Sequence, residues 1–186
     1  MARLKIPAVI LATILLTDGS HAETFEDSHS GIRISVDDNF KVVSEPLAGQ
    51  PDASMIFIVA RDARHPFVPG SQTPICVLTQ WPEPEFAGLS QAEINADAPN
   101  WPADIVADMA GAAELESATP FDHQGLAGME VVTRLTQSVT AEEYLVFFAL
   151  ATPRGRASIA CAATSQTLGL ALPAYRHIRD GLTLLP

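Results

Sequence analysis

Two cysteines, four histidines and a close pair of arginines are the side chains whose type and spacing invite a chemical reading in this 186-residue chain. Cys76 lies in "PICVLTQW" and Cys161 in "GRASIACAATS". A thiol in such a setting serves as a redox nucleophile, a metal ligand, half of a disulfide or a small core hydrophobe. Of the chain's five histidines, His21 falls within the first 22 residues, and His29, His65, His123 and His177 lie beyond them. Asp122 and His123 are neighbours in a turn-like stretch, and His177 and Asp180 stand three apart in a helical one. Neither spacing is that of a preformed metal site, and a His–Asp pair on a helix also reads as a plain surface contact. "TPRGR" sets Arg154 and Arg156 at a hairpin tip, where guanidinium groups can grip a carboxylate or phosphate, or simply blunt an exposed hairpin. "WPEPEF" brings Trp81 and Phe86 into a Pro-rich stretch that offers an aromatic docking edge or a packed loop. There is no Gly-x-Ser-x-Gly elbow, no His-Glu-x-x-His, no Cys-x-x-Cys and no phosphate-cradling or dinucleotide glycine motif. No metal or organic cofactor is called for.

The compartment bears on the thiols. "MARLK" places two positive charges ahead of the apolar run Ile6 to Leu16, and "TDGSHA" follows with small residues at Ser20 and Ala22. Charge, apolar core and small-x-small site in that order describe a secretory signal over residues 1–22, cut ahead of Glu23. A membrane span needs about 20 apolar residues, and Asp18 interrupts the run too early. Residues 23–186 then form a single exported domain, periplasmic or secreted and soluble. The chain has a net charge of −11, and loss of Arg3, Lys5 and Asp18 with the signal leaves it one unit more acidic. A field of that sign disfavours nucleic acid and anionic lipid surfaces, and serves solubility or an acidic docking face. With 47% hydrophobic and 18% charged residues, the composition is that of a folded globule.

The elements that must position these residues alternate between strand and helix signals. "ETFEDSHS" is polar and reads as a mobile lead-in. "GIRISVDDNFKVV" alternates, turns at Asp37–Asn39 and alternates again, as a hairpin does. "SMIFIVARD" is apolar on both faces, "ARHPFVPGSQTP" (63–74) is a Pro/Gly-rich exposed loop, and "PICVLTQW" is the next strand. Ser90 to Glu93 has capping-box form, with Pro99 ending that helix, and "NWPADIVADMAG" offers Asn100 as an N-cap and Gly111 as a stop. "DHQG" or "GLAG" turns the next pair of strands, "TPRG" joins Tyr144–Ala151 to a strand ending near Thr164, and a last helix runs from Pro173 to Gly181. The class is α+β: an antiparallel β-sheet covered by helices.

The order of these elements resembles the PsbP-like superfamily. "GIRISVDDNFKVV" carries the likeness at one end, where the family tends to have Gly, a strand and then Pro-x-x-Trp. "ASIACAATS…YRHIRDGLTL" carries it at the other. Here the proline is absent, and Phe40 stands where tryptophan is common. The group includes an extrinsic photosystem II subunit, a Ran-binding import factor and many exported bacterial domains of unknown role. The resemblance implies a fold and places no binding residue.

The reading of function that follows is an exported accessory or binding protein of the bacterial envelope without its own catalysis. It would meet another envelope protein or a small ligand through loop 63–74, Trp81 and Phe86, or Arg154 and Arg156. One alternative is a hydrolase using dispersed His and Asp groups. Another is a carrier holding a small apolar ligand in a cavity between sheet and helix, lined by residues such as Phe57, Phe147 and Ile178. For the thiols, export and an even cysteine count favour a Cys76–Cys161 disulfide between neighbouring strands, with the flanking alanines leaving room for it. Two separate buried thiols are the competitor if those strands are not neighbours.

Overall fold

The computed structural model describes residues 23–27, 31–46, 54–61, 75–136 and 143–185. The signal segment, loop 63–74, His29 and His65 therefore lie outside the described residues. The strands are β1 (Glu23–Asp27), β2 (Ile32–Val36), β3 (Phe40–Pro46), β4 (Ser54–Ala60), β5 (Cys76–Trp81), β6 (Ala113–His123), β7 (Leu126–Leu135), β8 (Glu143–Thr152), β9 (Gly155–Thr164) and β10 (Leu182–Leu184). The helices are α1 (Gln91–Asp97), α2 (Trp101–Asp108) and α3 (Leu168–Asp180).

Seven strands form one sheet in the order β3-β4-β5-β9-β8-β7-β6, and β1-β2-β10 form a small second sheet. Every pairing is antiparallel. Side chains alternate across a strand, so one sequence parity faces each side of the large sheet. On one side Ile56 and Ile58, Cys76 and Leu78, Ile159 and Cys161, and Val146, Phe148 and Leu150 pack under Ile32 and Ile34 of β2 and Ala171, Tyr175 and Ile178 of α3. On the other side Met129 and Val131 of β7 and Ala149 and Ala151 of β8 pack beneath Phe86, Ile94 of α1 and Trp101 and Ile105 of α2. Each large aliphatic buried in this way stabilises by about 1.5–3 kcal/mol.

Polar contacts tie the layers together. Glu130 of β7, almost fully buried, accepts two hydrogen bonds from Arg176 of α3 at 2.8 Å each. Arg179 of α3 stacks over Phe121 and Phe148 at 4.5 and 5.4 Å from the ring centroids. The Tyr175 hydroxyl donates to the Ala162 carbonyl, and burial raises its pKa above the ordinary phenol value. After α3 the chain turns at Gly181, whose backbone lies so close to Ser35 that an added Cβ would sit 2.0 Å from the Ser35 carbonyl oxygen.

Several local expectations are corrected. "ETFED" forms β1, an ordered strand against β2, rather than a mobile lead-in. β2 and β3 turn at Asp37–Asn39 as expected, but they are not hydrogen-bonded to each other: β2 pairs with β1 and β10, and β3 pairs with β4. The turn passes the chain from one sheet to the other. Asn100 does not cap α2. Its side chain donates to Asp97 Oδ1 at 2.8 Å, and a 3-10 turn carries α1 on into α2. α3 begins at Leu168, five residues before Pro173, and the proline sits within the helix on its exposed side. The carbonyl that loses its partner there belongs to Gly169, itself an exposed residue.

Candidate binding groove on the open sheet face

Strand β5 lies between β4 and β9, and its register with β9 sets Cys76 opposite Cys161, Val77 opposite Ala160, Thr79 opposite Ser158 and Trp81 opposite Arg156. The first pair is a disulfide with a Cα–Cα distance of 4.0 Å, closing 85 positions of chain. This is tighter than the usual 5.5 Å because the pair is of the narrow, non-hydrogen-bonded kind: the neighbouring Ala162 N–H donates to the Ile75 carbonyl. Both cysteines are sealed in the core under α3, away from any reductant or metal. The alanines flanking Cys161 in sequence, Ala160 and Ala162, point to the opposite face and leave the bridge no extra room.

The three remaining pairs floor a groove. Over the four residue steps from Val77 to Trp81 the floor is about 13 Å long. Its apolar end is Val77 and Ala160, its middle the hydroxyl-bearing Thr79 and Ser158, and its far end Trp81 and Arg156. Ile105, Asp108 and Met109 at the end of α2 form one wall above Phe147 of β8, and Glu83 closes the Trp81 end. The half-open groove has a volume of about 390 Å³, within the usual range for small-ligand sites. On the far side Phe57 and Met55 of β4, opposite Val77 and Thr79, are half-buried and continue the apolar surface.

The groove exists because the helical layer is short. α1 and α2 have seven and eight residues. They lie over β7, β8 and β6, and the chain then turns through Ala110 and Gly111, both at positive φ, straight into β6. Among the described residues no helix crosses β5 and β9 on this face.

Arg156 is the groove's distinctive group. Its guanidinium lies 5.9 Å from the centre of the Phe86 ring and 5.8 Å from that of Trp101, an orientation that holds it by cation–π attraction. Its Nε is buried and has no hydrogen-bond partner. Arg33, Arg61, Arg134, Arg176 and Arg179 each meet a carboxylate. Arg154 and Arg156 are the two arginines among the described residues that do not. Gly155 positions both: at φ 138° its backbone passes so close to Trp81 that a Cβ would lie 2.0 Å from the Trp81 carbonyl oxygen.

The residues singled out from sequence are thus partly brought together and partly separated. Trp81 and Arg156 share the groove. Phe86 is buried beneath the helices as part of the seat for Arg156, so it presents no docking edge. Arg154 turns away towards the C-terminus, donating to the Leu185 carbonyl at 3.4 Å, so the two arginines do not grip one anion. His123 is buried, and its Nε2 donates to the Leu182 carbonyl at 2.6 Å, pinning the β6–β7 turn to β10. His177 is exposed at the end of α3, and Asp180 pairs with Arg179 rather than with it. Among the described residues no group of three or more His, Cys, Asp or Glu side chains could hold a metal ion. Ile178 belongs to the core under α3, whereas Phe57 and Phe147 lie on the open face, so the three do not line one cavity. The sequence does not reveal the groove floor, because the alanines flanking Cys161 read as room for a disulfide. The signal for it was the alternation itself, which gives Val77, Thr79 and Trp81 a common face opposite to Cys76 and Leu78.

No family model matches the chain, and no curated protein matches it. Among solved structures the chain is similar to cyanobacterial PsbP (CyanoP) from Synechocystis, with a TM-score of 0.55 over 90% of this chain and 95% of that one, at 9% sequence identity. It also aligns with a Pseudomonas aeruginosa protein of unknown function described as a putative regulator, with a TM-score of 0.44 over 89% of this chain and 97% of that one, at 11% identity. The likeness to CyanoP is one of fold, and on it the chain has a PsbP-like α+β fold.

Proposed function

We propose that this protein is an exported, non-catalytic accessory protein that holds a small amphipathic ligand in the groove over β5 and β9. The observation that carries the reading is the half-covered sheet face: an apolar floor beside a helix that stops short, with one unpaired arginine at its end. A site of this kind binds through burial and a few placed polar groups rather than through loops. Export is supported by the charge, apolar core and cleavage pattern of residues 1–22 and by the Cys76–Cys161 disulfide, a bond that persists in oxidising compartments. Glu23, the residue after the proposed cut, belongs to β1, and its carboxylate meets Arg61. Among the described residues no helix is long and apolar enough to cross a membrane.

The test is titration of the purified protein with 1-octanol, followed by the fluorescence of its two tryptophans. Trp81 lines the groove and Trp101 stacks on Arg156, so occupancy alters the surroundings of one or both. Saturable one-site binding that Ala160→Phe abolishes, by filling the floor, is the expected result. Absence of a saturable signal, or a signal unchanged by Ala160→Phe in a stably folded variant, removes the groove as a binding site.

A further inference from the structure

We infer that the groove selects a ligand with a carboxylate head and an apolar tail, the carboxylate on Arg156 and the tail running over Ala160 and Val77. This rests on the groove being a binding site and adds the sign and position of the charge.

Three observations converge. The first is that Arg156 meets no carboxylate among the described residues, in a chain where acids outnumber bases two to one, 22 against 11, and where the other described arginines outside its hairpin, Arg33, Arg61, Arg134, Arg176 and Arg179, all do. A guanidinium seated against rings keeps its planar edge free, and that edge matches a carboxylate in two-point fashion. The second is the buried Arg156 Nε with no acceptor within the described residues. A donor hidden from water without an acceptor is unfavourable, and a ligand oxygen relieves it. The third is order along the floor. The β5–β9 register places Trp81 and Arg156 at one end, Thr79 and Ser158 next, and Val77 and Ala160 last. Polarity falls steadily away from the arginine, as the polarity of an alkyl or aromatic acid falls away from its head.

Glu83 and Asp108 also line the groove and oppose an anion. Asp108 stands on exposed α2 surface and Glu83 is half-exposed, so water screens both. Arg156 is held inside, where its attraction is less screened. As lining residues, the two acids reject dianions more strongly than monoanions. The expected ligand therefore carries a single carboxylate.

The experiment compares three probes of one tail length, octanoate, 1-octanol and octylammonium, by tryptophan fluorescence on the wild-type protein and on Arg156→Gln and Arg156→Lys. Octanoate binds roughly tenfold more tightly than either other probe, the scale expected of a hydrogen-bonded charge pair in a half-open site. Arg156→Gln removes that advantage, so that octanoate and octanol bind alike, while Arg156→Lys retains part of it. Equal binding of octanoate and octanol overturns the inference and leaves the groove reading standing. Preference for octylammonium overturns it in favour of Glu83 and Asp108. No binding of any probe defeats the groove reading as well. The wild-type probe series decides the matter even if a variant fails to fold.

Discussion

On one face of the seven-stranded sheet Cys76, Leu78, Ile159 and Cys161 are sealed under α3 and the small sheet. On the other, the intervening Val77, Thr79, Ser158 and Ala160 stay half-exposed beside a helix that stops short. The two sets alternate residue by residue along β5 and β9, so they share backbone, strand neighbours and local propensity. They differ in side chain and in what, among the described residues, lies above them. The long helix α3, stapled to β7 through Glu130 and Arg176, completes one layer, and two short helices complete half of the other. Stability and binding are thereby separated by parity within a single strand pair.

The disulfide gives the largest test of that separation. Replacing both cysteines by alanine removes a closure of 85 positions and lowers stability by about 4–5 kcal/mol in the chain-entropy picture, read by urea denaturation. Octanol affinity in a variant still folded stays unchanged, because the bridge lies on the sealed face. Intact mass of the non-reduced, alkylated protein checks the bond itself: two alkylated cysteines would contradict it.

Adjacent residues of β5 sharpen the comparison further. Leu78→Ala empties a fully buried site and costs roughly 3 kcal/mol. Val77→Ala, one position earlier, costs less than about 1 kcal/mol and instead weakens octanol binding. Equal destabilisation by the two would mean that the open face is covered in solution.

Glu130→Gln tests the staple that completes the sealed layer. Its carboxylate is buried, but Arg176 is 44% exposed and water screens it, so the loss is about 1–2 kcal/mol, below that for a fully buried pair. The measurement is again a urea midpoint.

The smallest effect belongs to the short helical layer. Ser90 caps α1 in a reciprocal box with Glu93, and the Ser90 hydroxyl, then its N–H, hold the Glu93 carboxyl below its ordinary pKa. Ser90→Ala lowers stability by about 1 kcal/mol at neutral pH. A folded-state pKa below the unfolded one gives stabilisation that is complete above the ordinary carboxylate pKa. It is lost as pH falls through the lowered value. The difference between variant and wild type therefore narrows in acid, as thermal melts across that range would show.

Much of the architecture was legible because it depends on local alternation and turn chemistry. The two-residue Pro153–Arg154 loop between Thr152 and Gly155 follows from residue type, and of the two turns that residue type offers, "DHQG" and "GLAG", the chain takes the first, with Gln124 and Gly125 at positive φ. The pairing of β2 with β10 and the separation of β2 from β3 did not, since they depend on where the chain's end returns. Pro173 looks like a helix start, whereas it lies on the exposed side of α3, which begins at Leu168 and runs through it. Trp81 and Arg156 were legible as residue types, but the groove between them was not. Its walls come from β5, β9, β8 and α2, and which of the two strand faces the helices cover is a tertiary fact.

The account turns on whether the open face, and only that face, takes ligand. The most direct measurement is an amide chemical-shift map of the isotope-labelled protein titrated with octanoate. Shifts concentrated at Val77, Thr79, Ser158, Ala160 and the Arg156 Nε–H, fading across Ile105 and Met109 of α2, are the predicted result. Shifts centred instead on α3 and the small sheet, or scattered without saturation, would contradict it.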